Sequence, residues 1–182
     1  MIKKNLDSFC IVNKIKEHRH NKDNLLRLID NMPESVYVTH REKVQKTDWN
    51  LPNDIERNYL ELFYDMITPY MDAMKDKMHC DIWRINNGWF QQYTVDNEHK
   101  WHNHPGTNFS NIYFLEMPEK QMQTQFYNLL TETIVTFDLE EGDLLTFPAY
   151  MLHRSNRINS ETRKTIISFN SDFYFKDNLC IG

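Results

Sequence analysis

From Asp81 onward the chain is a succession of short β-branched and aromatic runs divided by polar turns: DIWRI, WFQQYTV, NIYFLEM, TIVTF, DLLTF and TIISFNSDFYF. Such residues suit a pleated, half-buried surface, so this half of the sequence reads as strands. Asn86-Asn87-Gly88, between the first two runs, predicts a tight hairpin, because Asn and Gly tolerate positive φ. The preceding part reads differently. Ile55, Tyr59, Phe63, Met66, Ile67, Tyr70, Met71, Met74 and Met78 recur at helical spacing behind a capping-box pattern, Asn53-x-x-Glu56. One long amphipathic helix follows, which Pro69 should kink or divide, with its Met and aromatic stripe packed on the sheet. A shorter helix from Asp23 to Asn31 should stop before Pro33. Helices first and strands afterwards predict a mainly β fold with N-terminal helices (α+β), without the alternating units of a Rossmann sheet. At 182 residues the chain suits one core. A single domain is expected over 1–182, with a helical part, 1–80, packed on a β core, 81–182.

Composition removes several classes. The formal net charge of −5 gives no overall drive toward nucleic acid or acidic membranes. The N-terminus MIKKNLDSFCIVNKIKEH lacks an apolar segment, and no run approaches the roughly 20 apolar residues of a membrane-spanning helix. Cys10, Cys80 and Cys180 are odd in number and far apart, which suggests neither a disulfide framework nor a zinc knuckle. A soluble, cytoplasmic protein is the expectation. Four Gly and 13% aromatic residues favour a packed core over a glycine-rich phosphate loop.

The densest polar constellation is HKWHNHPG. His102 and His104 are one residue apart, and on an extended segment both imidazoles leave the same face, able to reach one metal ion at about 2.0–2.2 Å. His18-Arg19-His20 repeats the spacing without strand context and reads as solvated surface, as do His40, His79 and His99. EEGDLLTFPAYMLHRSN supplies a turn, an apolar strand, a Pro and then His153, a means of returning a third histidine to the first two. RKTIISFN places Arg163 ten residues beyond His153. If Arg163, Thr165 and Ile167 face inward, a guanidinium and a hydroxyl on one face make a carboxylate clamp. The alternative for Arg163 is a surface position at a strand start. Arg154, Arg157, Arg163 and Lys164 form a local basic cluster that either steers an anionic substrate or is a solvated loop.

WHNHPGTNFSNIYFLEMP, LLTFPAYMLHRSN and RKTIISFN, in that order, resemble the iron(II)- and 2-oxoglutarate-dependent oxygenase superfamily, in particular its small bacterial and phage-type members. The similarity runs from about Trp89 to Phe173. It implies a double-stranded β-helix, the jelly-roll shared with cupins. It also implies iron(II) with 2-oxoglutarate as cosubstrate and oxygen as the other partner. The reaction implied is hydroxylation of a substrate, coupled to decarboxylation of 2-oxoglutarate to succinate. Carried over by residue, His102 and His153 are iron ligands, Arg163 holds the C5 carboxylate, Thr165 assists it, Tyr93 lies beside the cosubstrate, and Tyr113 is a further candidate there. Trp89, Trp101, Phe147 and Phe169 are candidate pocket walls. The departure is His104, which stands where the family usually has Asp or Glu. Three neutral imidazoles leave the metal at +2, and Asp96 or Glu98 is an alternative carboxylate donor.

Three other readings stand beside this one. A cupin-type three-histidine metalloenzyme independent of 2-oxoglutarate fits Gly142, Pro148 and His153, but leaves Arg163 without a role and lacks a Glu after His104. A non-catalytic barrel binding module fits a lost carboxylate. An HNH nuclease is suggested only by His102-Asn103-His104, without the ββα context.

Overall fold

The computed structural model describes residues 8–39 and 42–175; His40 and Cys180 lie outside them. Among the described residues there are two α-helices, one 3-10 turn (Lys120–Met122) and twelve strands. β1 (Ile11–Lys14) precedes α1 (His18–Asp30), and β2 (Tyr37–Val38), β3 (Glu42–Val44) and β4 (Lys46–Thr47) precede α2 (Asn58–Lys77). The remaining strands are β5 (Ile82–Tyr93), β6 (Glu98–His102), β7 (Phe109–Glu116), β8 (Thr124–Asn128), β9 (Thr133–Val135), β10 (Asp143–Pro148), β11 (His153–Ser155) and β12 (Lys164–Tyr174). They form two six-stranded sheets of antiparallel pairs, ordered β1-β10-β7-β12-β5-β4 and β2-β3-β6-β11-β8-β9. From β5 to β8, and again from β10 to β12, consecutive strands alternate between the sheets, so each sheet supplies half of the cavity between them. No helix among the described residues is long and apolar enough to cross a membrane.

The two faces of the first sheet bury different things. Its outer face packs on the helices: Phe90, Tyr113, Leu115, Ile167 and Phe169 join Phe63, Ile67 and Met71 of α2 and Leu25 and Ile29 of α1 in one core cluster. Its inner face packs on the second sheet, where Tyr93, Phe114, Leu145, Phe147 and Ile166 meet Val44 and Phe126. The Met and aromatic stripe of α2 therefore does what its spacing predicts.

Four local expectations change. α2 is a single 20-residue helix containing Pro69, begun at Arg57 without the capping box. α1 starts at His18, earlier than its apolar pattern suggests, and His18 is buried with Nδ1 2.7 Å from the Tyr113 hydroxyl. Four strands lie before residue 80, and β1 extends the first sheet, so the first 80 residues are not wholly helical. Asn86-Asn87-Gly88 makes no hairpin. β5 runs straight through it, and the register against β12 steps from Asn170↔Asn87 to Ser171↔Ile85, a β-bulge with one extra residue. Gly88 is there for close approach: a Cβ would strike the Tyr64 hydroxyl and lie 3.2 Å from Leu60 Cδ2 on α2.

Candidate metal centre

Antiparallel pairing of β6 with β11 sets His102 opposite His153, while His104, two residues beyond His102, is tethered by its backbone N–H to the Ala149 carbonyl at 2.9 Å. The three rings converge, with centroids 4.2 Å apart for His102 and His153, 5.2 Å for His102 and His104, and 5.1 Å for His104 and His153. One ligand nitrogen from each lies within 4.8 Å of the others. A metal bonded at about 2.1 Å would draw such nitrogens to about 3–3.5 Å, a small rotation of each ring.

Hydrogen bonds fix which nitrogen faces inward. His102 Nδ1 is 2.8 Å from the Lys100 carbonyl, His153 Nδ1 is 3.0 Å from the Met151 carbonyl, and His104 Nδ1 is 2.7 Å from the Asn170 side-chain oxygen. A carbonyl oxygen only accepts, so each Nδ1 carries the proton and each Nε2 the lone pair. Burial keeps His102 and His153 neutral as metal binding requires: it lowers the pKa of His102 to about 2, helped by the neighbouring His153 and His99, and that of His153 to about 3. The donor set fits a divalent transition metal. Neither alternative carboxylate joins it: Asp96 pairs with Arg157 at 2.6 Å, and Glu98 lies 4.0 Å from Lys100.

The remaining candidates separate by strand parity. On β12, Lys164, Ile166, Ser168 and Asn170 alternate with Thr165, Ile167 and Phe169; of the first set Ile166 and Ser168 line the inner cavity, Lys164 reaches its wall residue Ser155, and Asn170 reaches His104, while Ile167 and Phe169 pack on the helices. Arg163 lies outside it, binding Glu116 through Nε and Nη2 at 2.8 and 3.2 Å and Asp30 at 2.9 Å. Thr165 donates to the same Glu116 at 2.5 Å. Tyr113 faces the helices beside His18 and Phe63. Tyr93 does line the cavity. Of the expected walls, Trp89 lines the cavity and Phe147 stands edge-on to His153 at 4.7 Å; Trp101 carries the Arg154 guanidinium at 4.5 Å, and Phe169 packs on Phe63. The basic cluster disperses, Arg154 to Trp101 and Gln125, Arg157 to Asp96, and Arg163 to Glu116.

The parity brings in residues that spacing alone passes over. Lys164 is fully buried, with Nζ 3.1 Å from the Ser155 hydroxyl and over the rings of Tyr93 and Phe114 at 5.4 and 5.8 Å. Burial lowers its pKa to about 7. Asn170 accepts from His104 Nδ1 and from Ser110 Oγ at 3.0 Å, and its own amide donates to Asn87 Oδ1 at 2.9 Å. His99 is also inward, stacked on His102 at 3.6 Å. The register explains this: His102↔His153 and His99↔Ser155 put three steps of β6 against two of β11, a bulge that turns both imidazoles to one side.

No family model matches the sequence, and no curated protein matches it. Solved structures do. A 2OG-Fe(II) oxygenase family oxidoreductase from Burkholderia pseudomallei is 10% identical with a TM-score of 0.70, over 92% of this chain and 88% of that one. A Pseudomonas putida prolyl-4-hydroxylase is 9% identical with a TM-score of 0.64, over 92% of both chains. HygX from Streptomyces hygroscopicus, solved with nickel and 2-oxoglutarate bound, is 10% identical with a TM-score of 0.64, over 91% and 83%. The chain thus has the fold of the 2OG-Fe(II) oxygenase family, the one its motifs resemble.

Proposed function

We propose that the chain is a cytoplasmic iron(II)- and 2-oxoglutarate-dependent oxygenase on a double-stranded β-helix, oxidising a substrate C–H bond as 2-oxoglutarate is decarboxylated to succinate. The observation that carries this reading is the convergence of three histidines, each anchored through Nδ1, on a cavity whose wall residue Ser155 is held by the buried Lys164 amine. His102, His104 and His153 would hold iron through Nε2. Bound there with its cosubstrate, the metal supplies oxygen activation. The alternation of strands between the sheets supports the jelly-roll assignment.

We assign the C5 carboxylate to Lys164 in place of Arg163, whose guanidinium is committed to Glu116 and Asp30. Lys164 reaches Ser155, two residues from His153 on β11, about 6.6 Å along a strand. The four carbon–carbon bonds from C1 to C5 of 2-oxoglutarate span about 5 Å. A keto acid bound at the histidine site would therefore bring its far carboxylate to the Lys164 amine, and that negative charge would favour the protonated form. Ser155 gains a carboxylate acceptor for its hydroxyl, and Tyr93 floors the same end. Anaerobic addition of 2-oxoglutarate to the iron(II) protein should give a weak visible charge-transfer band, and admission of oxygen should give succinate. Lys164→Met should lose the band and keep iron, while Arg163→Met should keep both. Iron binding without a cosubstrate band would instead favour the cupin-type, 2-oxoglutarate-independent reading.

A further inference from the structure

A second pocket, of about 400 Å³, opens on His102 and His104. Trp49, Trp89, Tyr37, Asn87, Gln91 and Asn103 are among its other walls, and no described residue lining it is an acid, a lysine or an arginine. With the metal's charge balanced by the cosubstrate dianion, a charged group entering would shed water without meeting a side-chain counter-charge. The walls offer something else. Trp49 is 49% exposed and meets the buried Trp89 at 4.5 Å and 67°, two apolar planes near a right angle around which a ring can seat. Asn87 Oδ1 accepts from Asn170 Nδ2 at 2.9 Å. That bond fixes the amide, and among the described residues no side chain accepts from Asn87 Nδ2. The same Asn170 accepts from the Nδ1–H of His104.

We propose that this pocket takes an uncharged, ring-bearing substrate group with a hydrogen-bond acceptor, seated on Trp49 and Trp89 and held by the Asn87 amide, and that its arrival is transmitted through Asn170 to His104. The assignment of this ligand as substrate rests on the oxygenase reading above. Donation from Asn87 Nδ2 to a ligand polarises the amide and makes Oδ1 a better acceptor, strengthening the run Asn87–Asn170–His104. Asn87 is then a specificity residue and Asn170 a positioning residue.

The test uses the full chain loaded with zinc, which does not turn over, and 2-oxoglutarate. Benzamide, benzoate and benzylammonium share a ring and differ in charge. Binding is read by tryptophan fluorescence. Transmission is read by the downfield proton resonance of His104 Nδ1–H, assigned by its loss in His104→Gln. Benzamide should bind about tenfold tighter than either charged probe and move the His104 resonance. Asn87→Ala, at an exposed position of β5, should weaken benzamide about fivefold and abolish the movement. Equal or tighter binding of a charged probe overturns the proposal, as does no benzamide binding at millimolar concentration, or a resonance that still moves in Asn87→Ala. Failure of zinc or 2-oxoglutarate to bind, measured first, refutes the oxygenase reading instead; the charge preference is still read by fluorescence in the metal-free protein.

Discussion

Replacing Lys164 by methionine should stabilise the fold while abolishing cosubstrate binding. The side chain has no exposure, and burial lowers its pKa from 10.5 to about 7. Between those values the unfolded chain holds a proton that the native state lacks, so the wild-type protein gains stability as pH rises through that window. The penalty is fully present below about pH 7 and fades toward pH 10.5. A tenfold difference in proton affinity is worth about 1.4 kcal/mol, so burying this lysine costs about 4 kcal/mol at pH 7 and about 2 kcal/mol at pH 9. Methionine fills a similar volume without a charge. The variant forfeits the hydrogen bond to Ser155, about 1 kcal/mol. The net gain is then about 3 kcal/mol at pH 7 and about 1 kcal/mol at pH 9. Urea denaturation of both metal-free proteins at pH 7, 8 and 9 measures the gap, and titration of the iron(II) forms with 2-oxoglutarate measures the loss. A variant less stable at pH 7, or a gap that does not shrink with pH, would refute the reasoning.

Arg163→Met, which cuts the tie from Asp30 at the end of α1 to Glu116 on β7, should lower the unfolding free energy by about 1–2 kcal/mol. It should leave 2-oxoglutarate affinity unchanged; a lost cosubstrate band would return the clamp to Arg163. Asn170→Ala removes the acceptor that orients His104, and chelator competition should show metal affinity weaker by about 10–100-fold. Unaltered affinity would mean that His104 is oriented without it. The metal-free protein should lose stability as pH falls below 6.5, because the unfolded histidines take up protons that burial denies to His102 and His153. His153 alone costs about 1.4 kcal/mol at pH 5.5, and a melting temperature unchanged from pH 7.5 to 5.5 would contradict this.

The outline of the fold was legible because its signals are local. The strand runs after Asp81 and the helical stripe of α2 need only the periods of pleat and helix. His102 and His153 were legible from their places at strand ends. What failed to show depends on partners distant in sequence. Asn86-Asn87-Gly88 has the composition of a turn, and only β12 alongside and Tyr64 above turn it into a bulge. His18 looks solvated until Tyr113 arrives, 95 residues away. His99 falls on the far side from His102 by simple alternation, and the bulge against β11 reverses it. On β12 every residue from Lys164 to Phe173 is buried, so no polar alternation tells the inner face from the outer.

The choice between Arg163 and Lys164 therefore reduces to the parity of one strand, which several independent contacts fix. Phe169 and Ile167 pack under α2 with no exposure, Ile166 packs between the sheets, and Asn170 reaches His104. A one-residue slip would exchange all of these together. It would push two apolar side chains off the helices, at about 1.5–3 kcal/mol each, and set Phe169 where the histidines now meet polar neighbours. It would also break the pairing of Arg163 and Thr165 with Glu116, burying a guanidinium without its carboxylate on the side of the three histidines. The register that completes the hydrophobic core is thus the one that brings Lys164 to Ser155 and Asn170 to His104. Repacking mutations at Ile167 or Phe169, remote from the histidines, should consequently weaken metal and cosubstrate binding together.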